Sequence, residues 1–430
     1  MRLRLFVMNI LVIGSGGREH AICRSFSKSP RVTRLLCVNG NAGIANLAEC
    51  VPIKPDDVAS LVEFALANSI DLTFVGGETP LALGIVDAFE SAELRIIGPN
   101  KEASQLESSK SFAKDFMARH GVPTARFVTA HSPGSAILEL ETNYFGNAET
   151  PVVVKADGLA AGKGVVVAAD RAEAVAAIND MAALVGTTAA DKIVLEECLV
   201  GKEVSLLMFA DGEDFALMPP TRDHKRIGEG DTGPNTGGMG TITDHLLLTD
   251  DELKVIVETI IRPTLSGCID GGFRFRGILF LGLMMTADGP KLLEYNVRFG
   301  DPETQAILIR LETDLVAICD AMLDGSLASL PIDWAPGNSA CVVLASKGYP
   351  ANPVTGSVIH GLNEANAIEN VEIFHAGTAA SSNGKYITAG GRVLGVTATG
   401  AMLDIALETA YRAVAKITFD GMQYRRDIGK

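Results

Sequence analysis

Through the first hundred residues, short apolar runs alternate with longer stretches whose apolar positions recur at helical spacing. Asn9–Ile13, Arg34–Val38, Leu72–Val75 and Arg95–Ile97 read as strands, and Arg18–Ser27, Val58–Asn68 and Leu81–Ala92 as helices between them. Strand and helix in strict alternation predict a doubly wound parallel sheet. Gly98-Pro99 ends that unit, and a helix over Ser109–His120 leads to Pro123, where a second unit begins. There a helix over Arg171–Leu184 is flanked by strands at Pro151–Val154, Val165–Ala168 and Ile193–Glu196. A glycine-dense stretch, Gly228–Gly240, is followed by a long helix (Asp250–Ile269), two apolar strands (Ile278–Met285, Lys291–Val297) and helices at Glu303–Ile309 and Asp314–Leu323. Pro331, Trp334 and Pro336 mark a linker. Strands near Ala340–Ala345 and Arg392–Thr397 and a helix over Met402–Ile417 form a small terminal α+β domain. The expected division is 8–108, 109–330 (with a small lid subdomain at about 125–199) and 331–430.

Composition narrows the class. With 47% apolar and 21% charged residues in 430, the chain has ample material for packed cores. Thirty-seven Lys+Arg against 52 Asp+Glu give a formal charge of −15, which repels a polyanion and argues against nucleic acid as a partner. Seven scattered cysteines without a Cys-x-x-Cys pair read as reduced thiols of a cytoplasmic protein. The apolar opening from Arg2 and Arg4 to Ile13 lacks a small-residue cleavage site and runs into a glycine loop, so it reads as a buried first strand, with Met8 as the expected natural start. No apolar segment reaches the roughly 20 residues a membrane crossing needs.

Three segments carry candidate chemistry. Gly14-Ser15-Gly16-Gly17-Arg18-Glu19 joins a strand to a helix, where backbone amides face an anion. It has two glycines of a dinucleotide fingerprint but lacks the third, and Asn39 stands where a ribose-binding acid belongs. A mononucleotide or sugar-phosphate site, a dinucleotide site and a simple chain turn all remain open. Gly40-Asn41-Ala42-Gly43 and Gly76-Gly77-Glu78 would line the same crevice.

In Lys155-Ala156-Asp157-Gly158-Leu159-Ala160-Ala161-Gly162-Lys163-Gly164, two lysines frame a loop whose glycines let backbone N–H groups approach phosphate. An unliganded hairpin is the plainer alternative. In the third segment, Glu294 and Asn296 fall on one face of a strand, with Leu293, Tyr295 and Val297 on the other and Arg298 following in the same parity. Two oxygen donors so spaced suit a hard Mg²⁺ that also takes phosphate oxygens, although a solvated strand face would show the same alternation. His20, His224 and His375 have no ligand spacing and read as structural.

Taken together, the lysine loop, the Glu-x-Asn pair and Glu196–Glu203 resemble the ATP-grasp superfamily. Gly14–Ala21, Leu106–Lys110, Lys155–Gly164, Asp223–Arg226, Gly233–Gly240 and Arg298–Gln305, in that order, resemble the phosphoribosylamine–glycine ligases, as does the ending Arg425-Arg426-Asp427-Ile428-Gly429. The resemblance implies an α/β chain with an ATP-grasp fold between the doubly wound and terminal domains. It implies an ATP-dependent ligase joining glycine to phosphoribosylamine through glycyl phosphate, with Mg²⁺ or Mn²⁺, and a monomer is expected.

Residue by residue, it implies that Lys110 and Lys155 contact ATP phosphates under a lid of Gly158, Gly162, Lys163 and Gly164. Glu196 and Leu199 would meet the adenine edge through their backbone, with Glu197 also on the ATP side, Glu203 on the ribose hydroxyls and Asn235 near the nucleotide. Glu294 and Asn296 would hold the metal. Gly14, Gly16, Gly17, Arg18, Asp223, Lys225, Arg298 and Asp301 are assigned to the glycine and phosphoribosylamine side, with Lys155, Arg298 and Asp301 nearest the chemistry. Val200 and Lys202 depart from the small or acidic residues frequent in relatives, at positions that donate no side chain.

Overall fold

The computed structural model describes residues 7–159, 164–186 and 190–430. Its first sheet is parallel, in the order Glu49–Val51, Val32–Asn39, Met8–Gly14, Leu72–Val75, Ile96–Ile97. The strand Met8–Gly14 is covered on both faces. Ile10 and Val12 pack with Ile22 and Phe26 of the helix Gly17–Ser27, while Leu11 and Ile13 pack with Leu61 and Phe89 on the opposite side. The strand order reverses between Met8–Gly14 and Leu72–Val75, so their carboxyl ends, at Gly14 and Gly76, open one crevice.

The second sheet has four strands, ordered Phe127–Ala130, Ile193–Glu197, Val152–Ala156, Val165–Ala168. With the helices Pro133–Glu141 and Arg171–Val185 it encloses its own small core, including Leu140, Val154 and Met181.

The third sheet runs Gly289–Asn296, Arg276–Thr286, Lys202–Asp211, Thr221–Asp223, Gly240–Thr243, Asn338–Ala345, Arg392–Gly400, Val371–His375. Gly240–Thr243 pairs antiparallel with Asn338–Ala345, so the terminal hundred residues continue the central sheet beyond the Pro331–Pro336 linker.

Some elements depart from the pattern-based expectation. The helix expected over Leu81–Ala92 is two, Glu78–Ala82 and Ile85–Ser91, because Gly84 sits at φ +87°, outside helical conformation. Asp250–Ile269 is continuous in direction but carries a π turn at Val257–Ile261. The glycine-dense stretch contains a hairpin, Arg226–Gly228 with Thr232–Asn235. Lys202–Asp211, a ten-residue strand central to the third sheet, has no alternating pattern to announce it because eight of its residues are buried. Among the described residues, no helix is long and apolar enough to cross a membrane.

Candidate active site

The lysine hairpin and the oxygen-bearing strand meet. Lys155 lies on Val152–Ala156 and its Nζ donates to the Leu293 carbonyl at 3.3 Å. That contact exists because of a β-bulge: Gly282 pairs with Glu294 but Leu283 pairs with Leu292, leaving Leu293 extra. The bulge corrects the expected alternation, bringing Leu293 to the cleft side with Glu294, while Tyr295 and Val297 stay in the core.

Lys110 reaches the same place from another element. Ser109 caps the helix Lys110–Arg119, and Asp157, just beyond the Lys155 strand, accepts hydrogen bonds from Ser111 N (3.1 Å) and Ser111 Oγ (2.7 Å). This linkage holds the helix start against the hairpin, and Lys110 Nζ lies 3.4 Å from the Gly158 carbonyl. Gly158, at φ +130°, takes a conformation other residues rarely adopt, and Gly164 O accepts Ala156 N at 2.8 Å across the hairpin. Gly162 and Lys163 lie outside the described residues.

Glu294, Asp223, Lys225, Glu203, Ser205 and Phe280 line one cleft. Burial disfavours charge on Glu294, yet Lys225, Lys155, Lys110 and Arg298 outweigh it and hold its carboxyl below the usual carboxylate range. Its oxygens accept no hydrogen bond from the described residues, so an ionised carboxylate is open to a cation. Asn296 Oδ1 accepts Arg298 Nη2 at 3.2 Å, which orients the carboxamide and leaves its oxygen a second lone pair. The pair therefore fits a hard divalent ion. No three His, Cys, Asp or Glu side chains among the described residues cluster to hold a metal alone, so such an ion would rely on ligand oxygens as well.

Lys225 Nζ lies 3.0 Å from Glu203 Oε2. The Glu197 carboxylate is occupied at the strand edge, accepting Arg126 N (2.9 Å) and Arg126 Nε (2.8 Å). Leu199 follows in the turn before Lys202–Asp211, and Asn235 ends its hairpin opposite Arg226.

The residues expected on the substrate side gather around two arginines. Arg298 Nε donates to Glu78 Oε2 (3.1 Å), Nη1 to the Phe299 carbonyl (3.2 Å), and Nη2 also lies 2.8 Å from Glu107 Oε1. Four of its five N–H groups are thereby engaged. Asp301 is held by Arg392, Nη2 to Oδ2 at 3.0 Å, and by Gln305 Nε2 to Oδ1 at 2.6 Å. Arg392 also reaches the Gly237 carbonyl. A Cβ on Gly17 would stand 2.5 Å from Gln305 Nε2, so a larger residue there would displace the carboxamide that holds Asp301. Asp223 Oδ1 is buried without a hydrogen-bond partner among the described residues, and burial, then Glu303, push its carboxyl well above the usual range.

The Gly14–Arg18 loop is held by the first turn of its own helix. Gly16 N donates to Glu19 Oε2 at 2.6 Å and Arg18 Nε lies 2.6 Å from Glu19 Oε1. Glu19 thus satisfies the Gly16 N–H, the backbone half of a capping box, at the start of the helix Gly17–Ser27. Arg18 Nη1 donates to the Phe299 carbonyl at 3.0 Å, joining the loop to the Arg298 segment.

The chain matches three family models along its length: phosphoribosylglycinamide synthetase N domain at residues 8–107, ATP-grasp (A) domain at 108–304 and C domain at 339–430. The chain belongs to the phosphoribosylglycinamide synthetase family. Phosphoribosylamine–glycine ligase of Xanthomonas axonopodis pv. citri is 47% identical over 428 residues, covering 98% of this chain and 97% of the relative. The same ligase of Caldanaerobacter subterraneus subsp. tengcongensis is 45% identical over 422 residues, covering 98% and 99%. A crystal structure of phosphoribosylamine–glycine ligase from Thermotoga maritima superposes with a TM-score of 0.84 at 34% identity, covering 98% of this chain and all of that one. The biotin carboxylase domain of Hydrogenobacter thermophilus 2-oxoglutarate carboxylase, at 16% identity and a TM-score of 0.73 over 97% and 92%, shares the ATP-grasp fold.

Within this synthetase framework, Glu78, from a loop expected to line the crevice, is joined by Glu107, Glu303, Tyr349 and Arg392, which the motifs do not single out as ligands. Glu107 and Glu303 lie inside recognised motifs, so their signal was available. Arg392 and Tyr349, whose hydroxyl accepts Gly237 N at 3.0 Å, come from the terminal segment, and nothing local distinguishes them. His20, His224 and His375 are buried, and each ring takes a structural bond: His20 Nδ1 accepts His375 N (2.7 Å), His224 Nε2 accepts Gly429 N (3.1 Å), and His375 Nδ1 meets Thr378 Oγ1 (3.1 Å).

Proposed function

We propose that this chain joins glycine to 5-phosphoribosylamine at the expense of ATP, yielding glycinamide ribonucleotide, ADP and phosphate, the second step of de novo purine synthesis. The observation that carries the site reading is the Lys155–Leu293 contact, which closes the lysine hairpin onto the Glu294–Asn296 strand across 138 residues of chain. Lys110, Lys155 and the Gly158–Gly164 loop bind the ATP phosphates. Glu196 and Leu199 meet the adenine edge through their backbone, with Glu197 beside them, Glu203 takes the ribose hydroxyls, and Asn235 lies near the nucleotide. Glu294 and Asn296 hold Mg²⁺ or Mn²⁺. The ion supplies charge neutralisation on the phosphates when bound.

The glycine carboxylate attacks the γ-phosphorus, ADP leaves, and the amine of phosphoribosylamine then displaces phosphate from glycyl phosphate to form the amide. Neither step needs a covalent nucleophile on the protein, so the residues position reactants, offset charge and exclude water from the acyl phosphate. Asp223 and Lys225 take the glycine side. Arg298, Asp301 and the loop carrying Gly14, Gly16, Gly17 and Arg18 take phosphoribosylamine. The small soluble substrates and the seven free cysteines fit a cytoplasmic enzyme working as a monomer on metabolites.

Measuring ADP release as each component is withheld tests the reaction. Release should require ATP, a divalent ion, glycine and phosphoribosylamine together, and equal release with an unrelated carboxylate would overturn the substrate reading. Glu294→Ala should fold and lose ion-dependent turnover, and full activity in that variant would dismiss the metal assignment.

A further inference from the structure

Behind the hairpin, one carboxylate serves two lysines. Lys114 Nζ lies 2.9 Å from Glu196 Oε2 and Lys155 Nζ 2.7 Å from Glu196 Oε1, with the three side chains 3%, 7% and 2% exposed for Lys114, Lys155 and Glu196. Lys114 comes from the helix Lys110–Arg119, Lys155 and Glu196 from adjacent strands of the four-stranded sheet. Lys114 Nζ also donates to Thr124 Oγ1 (2.7 Å), whose hydroxyl donates to the Leu292 carbonyl (2.6 Å) on the Glu294 strand. The ammonium is therefore fixed between the nucleotide-facing sheet and the strand assigned to the metal.

With Lys110, Lys114 and Lys155 set against the carboxylates of Glu196 and Glu294, all ionised, the cluster carries one positive charge in excess, largely out of water. Such an excess is unfavourable in an empty site and favourable when a polyanion enters. The strain is visible in the Lys114 ammonium: burial, with Lys155 adding repulsion, brings its pKa down to about 8 despite the attraction of Glu196 and Glu294. Were Glu196 paired with Lys155 alone, the two charges would cancel and the nucleotide would have to break an intact buried pair to gain its cation.

We propose that Lys114 is a positioning residue for ATP: by sharing the Glu196 carboxylate it leaves Lys155 with uncompensated charge for the nucleotide phosphates. The proposal rests on the reading that Lys155 binds ATP and adds a residue that touches neither substrate nor metal.

The test is calorimetric binding of the imido analogue of ATP with Mg²⁺ to the full chain. Lys114→Gln keeps a donor for Thr124 and Glu196 but removes the charge, so the dissociation constant should rise about tenfold, the scale of one screened contact between unit charges. In turnover assays KM for ATP should rise with it, while KM for glycine and kcat stay within about twofold. The double variant Lys114→Gln/Glu196→Gln restores the one-charge excess and should recover affinity to within about threefold of the parent. Should Lys114→Gln fail to fold, Lys114→Met and Lys114→Met/Glu196→Gln make the same comparison. Unchanged affinity in the single variant, or a double variant no better than the single, overturns the proposal. Lys155→Gln separates the two levels: if it too binds the analogue normally, the ATP-site reading has failed, whereas weak binding in Lys155→Gln beside normal binding in Lys114→Gln sinks the charge-sharing alone.

Discussion

Glu107→Gln isolates how the end of the Glu294 strand proposed to bind the metal is held. The Glu107 carboxylate is buried, accepts Val297 N at 2.8 Å through Oε2 and meets Arg298 Nη2 at 2.8 Å through Oε1. Glutamine can still accept the Val297 N–H, so the backbone bond survives, but its other end presents an N–H₂ group to a guanidinium that has only donors. The loss is one charge-assisted hydrogen bond, about 1.5–3 kcal/mol. Arg298 keeps Glu78, so it remains charged, yet the same Nη2 that leaves Glu107 also orients Asn296 Oδ1 at 3.2 Å. If about 1.4 kcal/mol of that loss reaches Asn296, the Mg²⁺ concentration for half-maximal rate rises about tenfold. Initial rates against free Mg²⁺ at saturating ATP, glycine and phosphoribosylamine measure it, and Mn²⁺ binding to the ADP complex by electron paramagnetic resonance gives a readout independent of turnover. The expected result is a shifted metal curve with a kcat close to the parent's once metal saturates. An unshifted curve, or a lowered kcat with the same metal dependence, would refute the route through Asn296 and leave Arg298 acting on substrate directly.

Two other perturbations test the loops on the amine side. A Cβ on Gly76 would collide with the Glu19 carboxylate that accepts Gly16 N, so Gly76→Ala should raise KM for phosphoribosylamine far more than KM for ATP; equal effects on both would contradict the separation of the two sites. The Glu78 carboxyl falls from its ordinary 4.5 to about 2 because Arg298 and Arg18 outweigh the opposing effect of burial. A depressed acid stabilises the fold above its unfolded pKa, so Glu78→Gln should cost about 3 kcal/mol near pH 7, and the gap to the parent should close as pH falls from 4.5 towards 2. Urea unfolding across that range measures the gap, and a difference independent of pH would show that the ion pairs are not its source.

Much of this was legible in the chain alone. Asn9–Ile13 and Leu72–Val75 sit within or match the observed strands because a strand covered on both faces leaves an unbroken apolar run. That the lysine loop and the Glu294–Asn296 strand are the segments to watch was legible, because candidate phosphate and metal chemistry demands particular residue types at short spacing, and the two do meet in space. Local pattern failed where the determining partner lay elsewhere. Leu293 turned to the cleft through a bulge set by pairing with Arg276–Thr286, and the helix expected over Leu81–Ala92 broke at a glycine whose conformation the pattern does not report.

The sequence by itself therefore determined the kinds of layers, the family and the chemical inventory, since composition, periodicity and motif spacing are properties of neighbours along the chain. Only the tertiary structure decided which charges share a counter-ion: Lys114 and Lys155 on Glu196, Glu78 and Glu107 on Arg298, Arg392 on Asp301. The physical reason is that ionic interaction depends on distance through space and on exclusion of water, and both are set by how separate sheets pack, which no stretch of sequence encodes locally.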